Sequence, residues 1–359
     1  MKILDKGDKG FDWYLSSSII VLLFFSLAGL YSFGGRPVSD RFLKQSIFIA
    51  GGLVLMMLAS YIDYHWWQNW SIFAYGISIL LLILVLFLGT EIRGAKGWFV
   101  FGNFSFQPAG IMEATFILIM AHFFSSNKHR QYLSTIIISL VYLIIPVALI
   151  AMEPDLGSLM VLVFLWLVFI FSSKLPFKAI IALVALIIIG GAALWFLMLA
   201  TFQKDRILTF IYPGRDPLGR GYNVRQSIIA IGSGQMFGRG LGLGTQSQLN
   251  FLPEKSTDFI FAALSEELGF VGSLLLILTF FVLFWRLYGL SQKARDDFTY
   301  LLVIGILSLI AFKFVINIGM NLGLLPVTGL PLPFLSYGGS SLAASMILVG
   351  IAQSVARRH

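Results

Sequence analysis

The chain has 359 residues, 58% of them hydrophobic and only 12% charged, with no cysteine. A soluble domain carries about 25% charged residues, so a chain this apolar cannot cover itself with a polar skin, which excludes an ordinary soluble enzyme as well as a disordered or collagen-like chain. The missing thiols remove disulfides, thiolate nucleophiles and cysteine metal sites, and the net charge of +8 points to cytoplasmic loops, an anionic substrate, or both.

A bilayer core needs about 20 apolar residues per helix. Trp13–Gly35, Gln45–Ile62 and Ser71–Thr90 are the first three such runs. The fourth, Ile111–Ser126, carries Glu113 near its start. Gln131–Met152 and Leu156–Ser173 follow, separated by Glu153, Pro154 and Asp155, and Ala179–Phe202 is the seventh. After a polar stretch come Phe259–Trp285 and Phe298–Met320, the latter holding Lys313. Pro326, Pro331 and Pro333 break the remaining apolar tract, so the last span begins near Tyr337. Ser26-Leu27-Ala28 has the look of a signal-peptidase site, but nine more spans follow it, and the first segment is read as a retained helix. The runs are continuous rather than alternating, which favours helices over a β-barrel. The expected fold is all-α: a polytopic membrane protein, a bundle of ten transmembrane helices in one domain (1–359). A large extracytoplasmic loop, 203–258, lies between helices seven and eight.

Ten spans put both termini on one side. Placing them inside leaves twelve basic residues in the cytoplasm and five in the short outer connections: Arg36, Arg41, Lys44, Arg93 and Lys96. That agrees with the positive-inside rule. The long outer loop nevertheless holds Lys204, Arg206, Arg215, Arg220, Arg225, Arg239 and Lys255 against Asp205, Asp216, Glu254 and Asp258. A loop this long in a compact membrane protein is more often functional than idle.

Within the loop, the glycine-rich run Gly232–Gly244 has two readings. Its backbone amides could cradle phosphate oxygens, with arginines adding bidentate contacts. Alternatively, glycine lets the backbone turn and pack closely. Asp258 also has two. Ser256, Thr257 or Asp258 could cap the following helix, or Asp258 could be a general base beside a basic surface. Glu113, Glu266, Glu267 and Lys313 sit in or beside apolar helices, where such groups face a cavity or each other. A Lys313–glutamate pair fits, but the sequence does not choose the partner. His65, His122, His129 and His359 lack metal-ligand spacing.

Several longer tracts resemble those of one family, the SEDS family (shape, elongation, division and sporulation). They are Gly94–Trp98, Phe106–Pro108, Glu153–Gly157, Gly221–Ser227, Gly242–Glu254, Asn317–Met320 and Gly323–Ser341. Gly242–Glu254 resembles the elongation branch more than the division branch. The resemblance implies a ten-span peptidoglycan glycosyltransferase of the bacterial inner membrane. Its implied substrates are lipid II and the growing glycan strand. Its implied partner is a class B penicillin-binding protein, with no nucleic acid involved. It also implies that Asp258 is the essential aspartate. Two departures stand out. The family's usual glutamate and lysine at the start of the fourth span fall at Gly110 and Glu113, and its usual histidine before Thr-Asp is Ser256.

The implied reaction is an inverting displacement. Asp258 takes the proton of the acceptor sugar's 4-hydroxyl, that oxygen attacks the donor's anomeric carbon, and undecaprenyl diphosphate leaves. Cations would stabilise the leaving diphosphate. The candidates for substrate and diphosphate contacts are Arg206, Arg215, Arg220, Arg225 and Lys255, with Gln248, Glu254, Ser256 and Thr257 beside them. No cofactor is required, although a divalent cation, Mg or Mn, could share this role. The alternatives are a flippase for lipid-linked precursors, whose key groups should lie near the midplane, and a scaffold that only recruits the penicillin-binding protein.

Overall fold

A computed structural model of the chain describes residues 10–33, 39–92, 95–102, 104–126, 132–172 and 220–358, with single positions at 181, 183, 185 and 210. In a bilayer no water satisfies free peptide groups, so apolar runs close their hydrogen bonds internally as helices. These are α1 (Trp13–Phe33), α2 (Asp40–Tyr61), α3 (Tyr64–Leu88), α4 (Pro108–Ser126), α5 (Tyr132–Met152) and α6 (Leu156–Ser172). Within the long connection 203–258 lie α7 (Arg220–Ser233) and the short α8 (Thr245–Gln248), and past it come α9 (Ile260–Gln292), α10 (Asp297–Asn321) and α11 (Gly339–Arg358). Eight of these helices are long and apolar enough to cross a membrane, and α6 is a shorter apolar helix of 17 residues. Together they account for nine of the ten expected spans. The seventh, Ala179–Phe202, lies outside the described residues except for the single positions 181, 183 and 185.

Helices α2 and α3 begin before their apolar runs do. Ser39 and Asp63 cap them, accepting from the backbone N–H of Phe42 and His65. A cap rather than the first apolar residue sets a helix start, because it satisfies an orphan donor. The all-α expectation also needs one addition. Between α3 and α4 the chain forms an antiparallel sheet of β1 (Thr90–Ile92), β2 (Ala95–Phe101) and β3 (Phe104–Phe106), in the order β1-β2-β3. Gly102, at φ +59°, makes the β2–β3 turn. A connector lying over the bundle pairs its own peptide groups rather than leaving them half-buried and unbonded.

The start of α1 meets α11. The Asp12 N–H donates to Gln353 Oε1 at 2.9 Å, and Gln353 Nε2 donates to the Asp12 carbonyl at 2.8 Å. Arg286 pairs with Asp12 at 2.6 Å, and Arg358 with Asp63 at 3.2 Å. The start of α1, the end of α11, the α2–α3 turn and the Arg286 end of α9 therefore share one end of the bundle. The sheet, the α5–α6 turn, residues 234–259 and residues 322–338 gather at the other.

The run expected as one continuous span, Phe259–Trp285, is broken. At Gly269 (φ 68°, ψ −164°) α9 leaves helical geometry. The glycine-rich loop enters the break: Phe270 and Val271 N–H donate to the carbonyls of Gln235 and Met236 at 2.8 and 3.1 Å. In return, Arg239 and Gly240 N–H donate to the carbonyls of Glu266 and Glu267, both at 3.0 Å. A Cβ on Gly269 would lie 2.2 Å from the Gly238 nitrogen. Gly269→Ala should therefore cost at least about 2 kcal/mol, from positive φ plus the clash. Gly76→Ala, where a Cβ meets nothing within 4 Å, should cost nothing measurable. Thermal unfolding of the two purified variants in detergent checks both.

Candidate active site

The segment leading into α9 is suspended by its backbone. The Ser256 carbonyl accepts from Tyr337 N–H at 2.8 Å. The Thr257 carbonyl accepts from the Ser336 hydroxyl at 2.7 Å. The Asp258 carbonyl accepts from the side-chain amides of Asn317 and Asn321 at 3.1 and 3.0 Å. Asn317 also donates to the Leu330 carbonyl at 2.9 Å, and Ser336 accepts from Leu332 N–H at 2.8 Å. Thus α10 and the proline-broken segment 322–338 together fix three consecutive peptide units.

This arrangement bears on the capping reading of Asp258. Phe259 occupies the capping position of α9, and no side chain makes the capping bond there. Asn321 Oδ1 instead accepts from Ala262 N–H at 3.1 Å. One amide thereby closes the start of α9 and holds the aspartate's carbonyl.

Asp258 lines a polar cavity of about 150 Å³ near the end of the bundle opposite Asp12 and Gln353. Trp98 of β2, Gln107, Glu113 of α4, Asp155 and Lys313 of α10 share that lining, together with Thr328, Ser340 and Ser341. Lys313 and Glu113 form a buried ion pair, Nζ to Oε2 at 2.5 Å. The structure thus supplies the partner that the sequence left open. Asp155 is committed elsewhere: its carboxylate accepts from Gln107 Nε2 at 2.9 Å, Ser158 Oγ at 2.7 Å and Ser158 N–H at 3.1 Å. Beside it, Glu153 is fully buried against Gly97, and among the described residues neither carboxylate oxygen has a hydrogen-bond partner. Burial, and then the charge of Asp155, push its pKa up to about 8.

The residues predicted to bind substrate fall into several places. Lys255 is buried, with Nζ donating to the Ser247 carbonyl and to Asn250 Oδ1 at 2.9 Å. Burial, and then the nearby Arg41, lower its pKa. Ser256 Oγ accepts from Arg41 Nη1 at 2.8 Å. Lys255, Ser256 and Arg41 line a second cavity of about 300 Å³ with Leu30 and Phe33, apart from the Asp258 cavity. Glu254 accepts from Thr257 Oγ1 at 2.9 Å, a bond local to the turn. Gln248 donates to the Ser32 carbonyl at 3.0 Å and to Glu267 at 3.3 Å. Arg225 is exposed on α7. Arg220 begins α7, with its side chain outside the described residues, and Arg206 and Arg215 lie outside them entirely.

The amides of the glycine-rich region have internal acceptors. Glu266 accepts from the N–H groups of Gln246 and Ser247 at 2.8 and 2.9 Å. Glu267 accepts from Gly242 N–H at 3.2 Å and from the Ser32 hydroxyl. A Cβ on Gly244 would lie 2.6 Å from Glu266 Oε2. These contacts fit the close-packing reading of this run. Among the described residues no group of three or more His, Cys, Asp or Glu could hold a metal ion.

Sequence reasoning did not single out Asn317, Asn321 or Ser336 as positioning groups, nor Gln107 and Asp155 as cavity residues. One signal was present. Lys313, Asn317 and Asn321 recur every four residues in an otherwise apolar helix, which places them on one face.

The family model for FtsW, RodA and SpoVE, described as a cell cycle protein, matches residues 12–359. The chain belongs to this family. Peptidoglycan glycosyltransferase MrdB of Escherichia coli (strain K12) is 37% identical over 339 residues, covering 94% of this chain and 91% of MrdB. A solved chain from work on structural coordination of polymerization and crosslinking by a peptidoglycan synthase complex matches with a TM-score of 0.82. It is 30% identical and covers 97% of this chain and 98% of its own. The rod shape determining protein RodA of Thermus thermophilus matches with a TM-score of 0.73 and 28% identity over 97% of both chains. The chain is accordingly a multi-pass membrane protein.

Two variants test the scaffold around the cavity. Asn321→Leu leaves Ala262 N–H without its acceptor, while Asn317 still donates to the Asp258 carbonyl, and should cost about 1–3 kcal/mol for the one buried donor left unsatisfied. Urea or thermal unfolding in detergent measures it. For Glu153 the folded pKa of about 8 lies above the ordinary 4.5, so the unfolded chain ionises first. Its contribution to stability is complete below about pH 4.5 and lost as pH rises towards about 8. Glu153→Gln should flatten that slope, read as melting temperature between about pH 5 and pH 9.

Proposed function

We propose that this chain is a peptidoglycan glycosyltransferase that polymerises lipid II during cell-wall elongation. The observation that carries the reading is the placement of Asp258. Its peptide is fixed on the carbonyl side by two buried asparagine amides, while its side chain lines a polar cavity near one end of a hydrophobic bundle. A fixed carboxylate bordered by hydroxyls and carboxamides suits a sugar hydroxyl, and the apolar bundle surface suits prenyl chains.

In the proposed reaction Asp258 accepts the proton of the acceptor's 4-hydroxyl as its oxygen bonds to the donor's anomeric carbon. The bond from that carbon to the diphosphate oxygen breaks, and its electron pair leaves with undecaprenyl diphosphate. An α-linked diphosphate becomes a β-glycoside in one displacement, so one base suffices. Arg206, Arg215, Arg220 and Arg225 remain proposed diphosphate contacts. Lys255 and Ser256 border the second cavity, and Gln248, Glu254 and Thr257 shape the loop around them. A Mg or Mn ion arriving with the diphosphate could share its charge.

The MrdB relative and the synthase-complex structure support this reading, and the latter supports a class B penicillin-binding protein as partner. The distribution of basic residues and the meeting of Asp12 with Gln353 support both termini in the cytoplasm, within the bacterial inner membrane. The flippase reading is disfavoured because the cavity that Asp258 lines lies near the end of the bundle opposite Asp12 and Gln353, whereas a transporter binds its cargo near the midplane.

Purified protein given lipid II should produce a glycan ladder. Asp258→Asn should remain folded and inserted yet lose at least about 100-fold in polymerisation rate, the lower range for a lost general base. Undiminished polymerisation by that variant would overturn the assignment. Movement of labelled lipid II across sealed proteoliposomes without polymer would favour the flippase.

A further inference from the structure

The Asp258 cavity has one cation among the described residues of its lining, and it comes from an unexpected helix. The resemblance leads one to expect a glutamate at position 110 and a lysine at position 113 of α4. The chain has Gly110 and Glu113 there. The positive charge is instead Lys313, on α10, one helical turn below Asn317 and two below Asn321. Those two asparagines hold the Asp258 carbonyl, so the same face of α10 that suspends the aspartate also carries the ammonium.

Lys313 is held but not saturated. Its side chain is 8% exposed, and its Nζ donates to Glu113 Oε2. An ammonium has three N–H donors. Glu113 takes one, and no protein acceptor among the described residues takes the other two. A buried donor left without a partner is costly unless something else fills the place. Here the unfilled donors belong to a residue lining the same polar cavity as the proposed base, with Thr328, Ser340 and Ser341. Asp155 does not compete for them, since its carboxylate is occupied by Gln107 and Ser158. A charge buried this deeply in a membrane helix is a functional group by default.

We infer that Lys313 is a second catalytic residue of this site, donating hydrogen bonds to the oxyanions of the donor's diphosphate as it departs, with Glu113 as the residue that positions it. This rests on the glycosyltransferase reading. In the displacement Asp258 takes the acceptor's proton, and the breaking bond leaves its electron pair on the diphosphate oxygen. Lys313 stabilises that developing charge without giving up a proton. It acts as a fixed donor aimed at a developing oxyanion.

The test uses the full-length protein in detergent. Lys313→Met alone would strand the Glu113 carboxylate and risk misfolding, so the decisive variant is the double Glu113→Gln, Lys313→Met, whose buried pair is neutral. It should be monodisperse, with melting close to that of the parent. It should lose at least about 100-fold in lipid II polymerisation, the scale of one lost oxyanion donor. It should also bind undecaprenyl diphosphate, titrated directly, at least about tenfold more weakly. Polymerisation within tenfold of the parent with unchanged undecaprenyl diphosphate affinity would show the pair to be structural and overturn the assignment. Binding is read independently of turnover. If the parent makes no glycan at all, the transferase reading fails, and the titration alone still decides whether Lys313 contacts a prenyl diphosphate. Lys313→Arg, which keeps the charge and the donors, should recover part of both readouts, whereas failure to recover either counts against the role.

Discussion

Three consecutive peptide carbonyls, on Ser256, Thr257 and Asp258, hang from donors that belong to other parts of the chain. Everything around the candidate site depends on that suspension. A segment that enters a membrane helix must satisfy its peptide groups before it reaches the hydrocarbon. Here the donors are Asn317 and Asn321 of α10, with Ser336 and Tyr337 of the segment that follows it. The proline-broken stretch 322–338 therefore brings Ser336 and Leu330 to the start of α9. Because the backbone is held, the Asp258 side chain is left to face the cavity.

A second constraint shapes the other side of the same loop. Glu266 and Glu267 sit at 0% and 1% exposure, where an unpaired carboxylate would be very costly. The loop supplies backbone N–H groups from Gly242, Gln246 and Ser247. Glycine is needed because a side chain at 244 would occupy the place of the carboxylate itself. The break at Gly269 serves the same packing, since opening the helix exposes peptide groups that the loop then pairs. Carboxylates and glycines that read separately in the sequence form one clamp, and the clamp fixes the loop whose far end carries Asp258.

The spans were legible because hydrophobic length is a local property, and nine of the ten expected runs became helices close to where the sequence placed them. Their starts were less legible. Ser39 and Asp63 act through single side-chain bonds that an apolar window does not register. The small sheet was missed because its strands are three to seven residues long and pair only with one another. The loop residues singled out for substrate were partly redistributed. Lys255 and Ser256 face a separate cavity beside Arg41, and Gln248 braces Glu267.

The sequence by itself determined the class of the molecule. It is too apolar and too sparsely charged for water, so it must span a bilayer, and its ordered motifs placed it in a family and marked Asp258. What only the tertiary structure decided is which groups share the space around that aspartate. Glu113, Asp155, Asp258, Lys313 and Gln107 come from four distant stretches of chain. Their convergence depends on how α4, the α5–α6 turn, the start of α9 and α10 pack. Periodicity reports the face of one helix, but a cavity is made where several faces meet, and an ion pair such as Lys313–Glu113 exists only once they do.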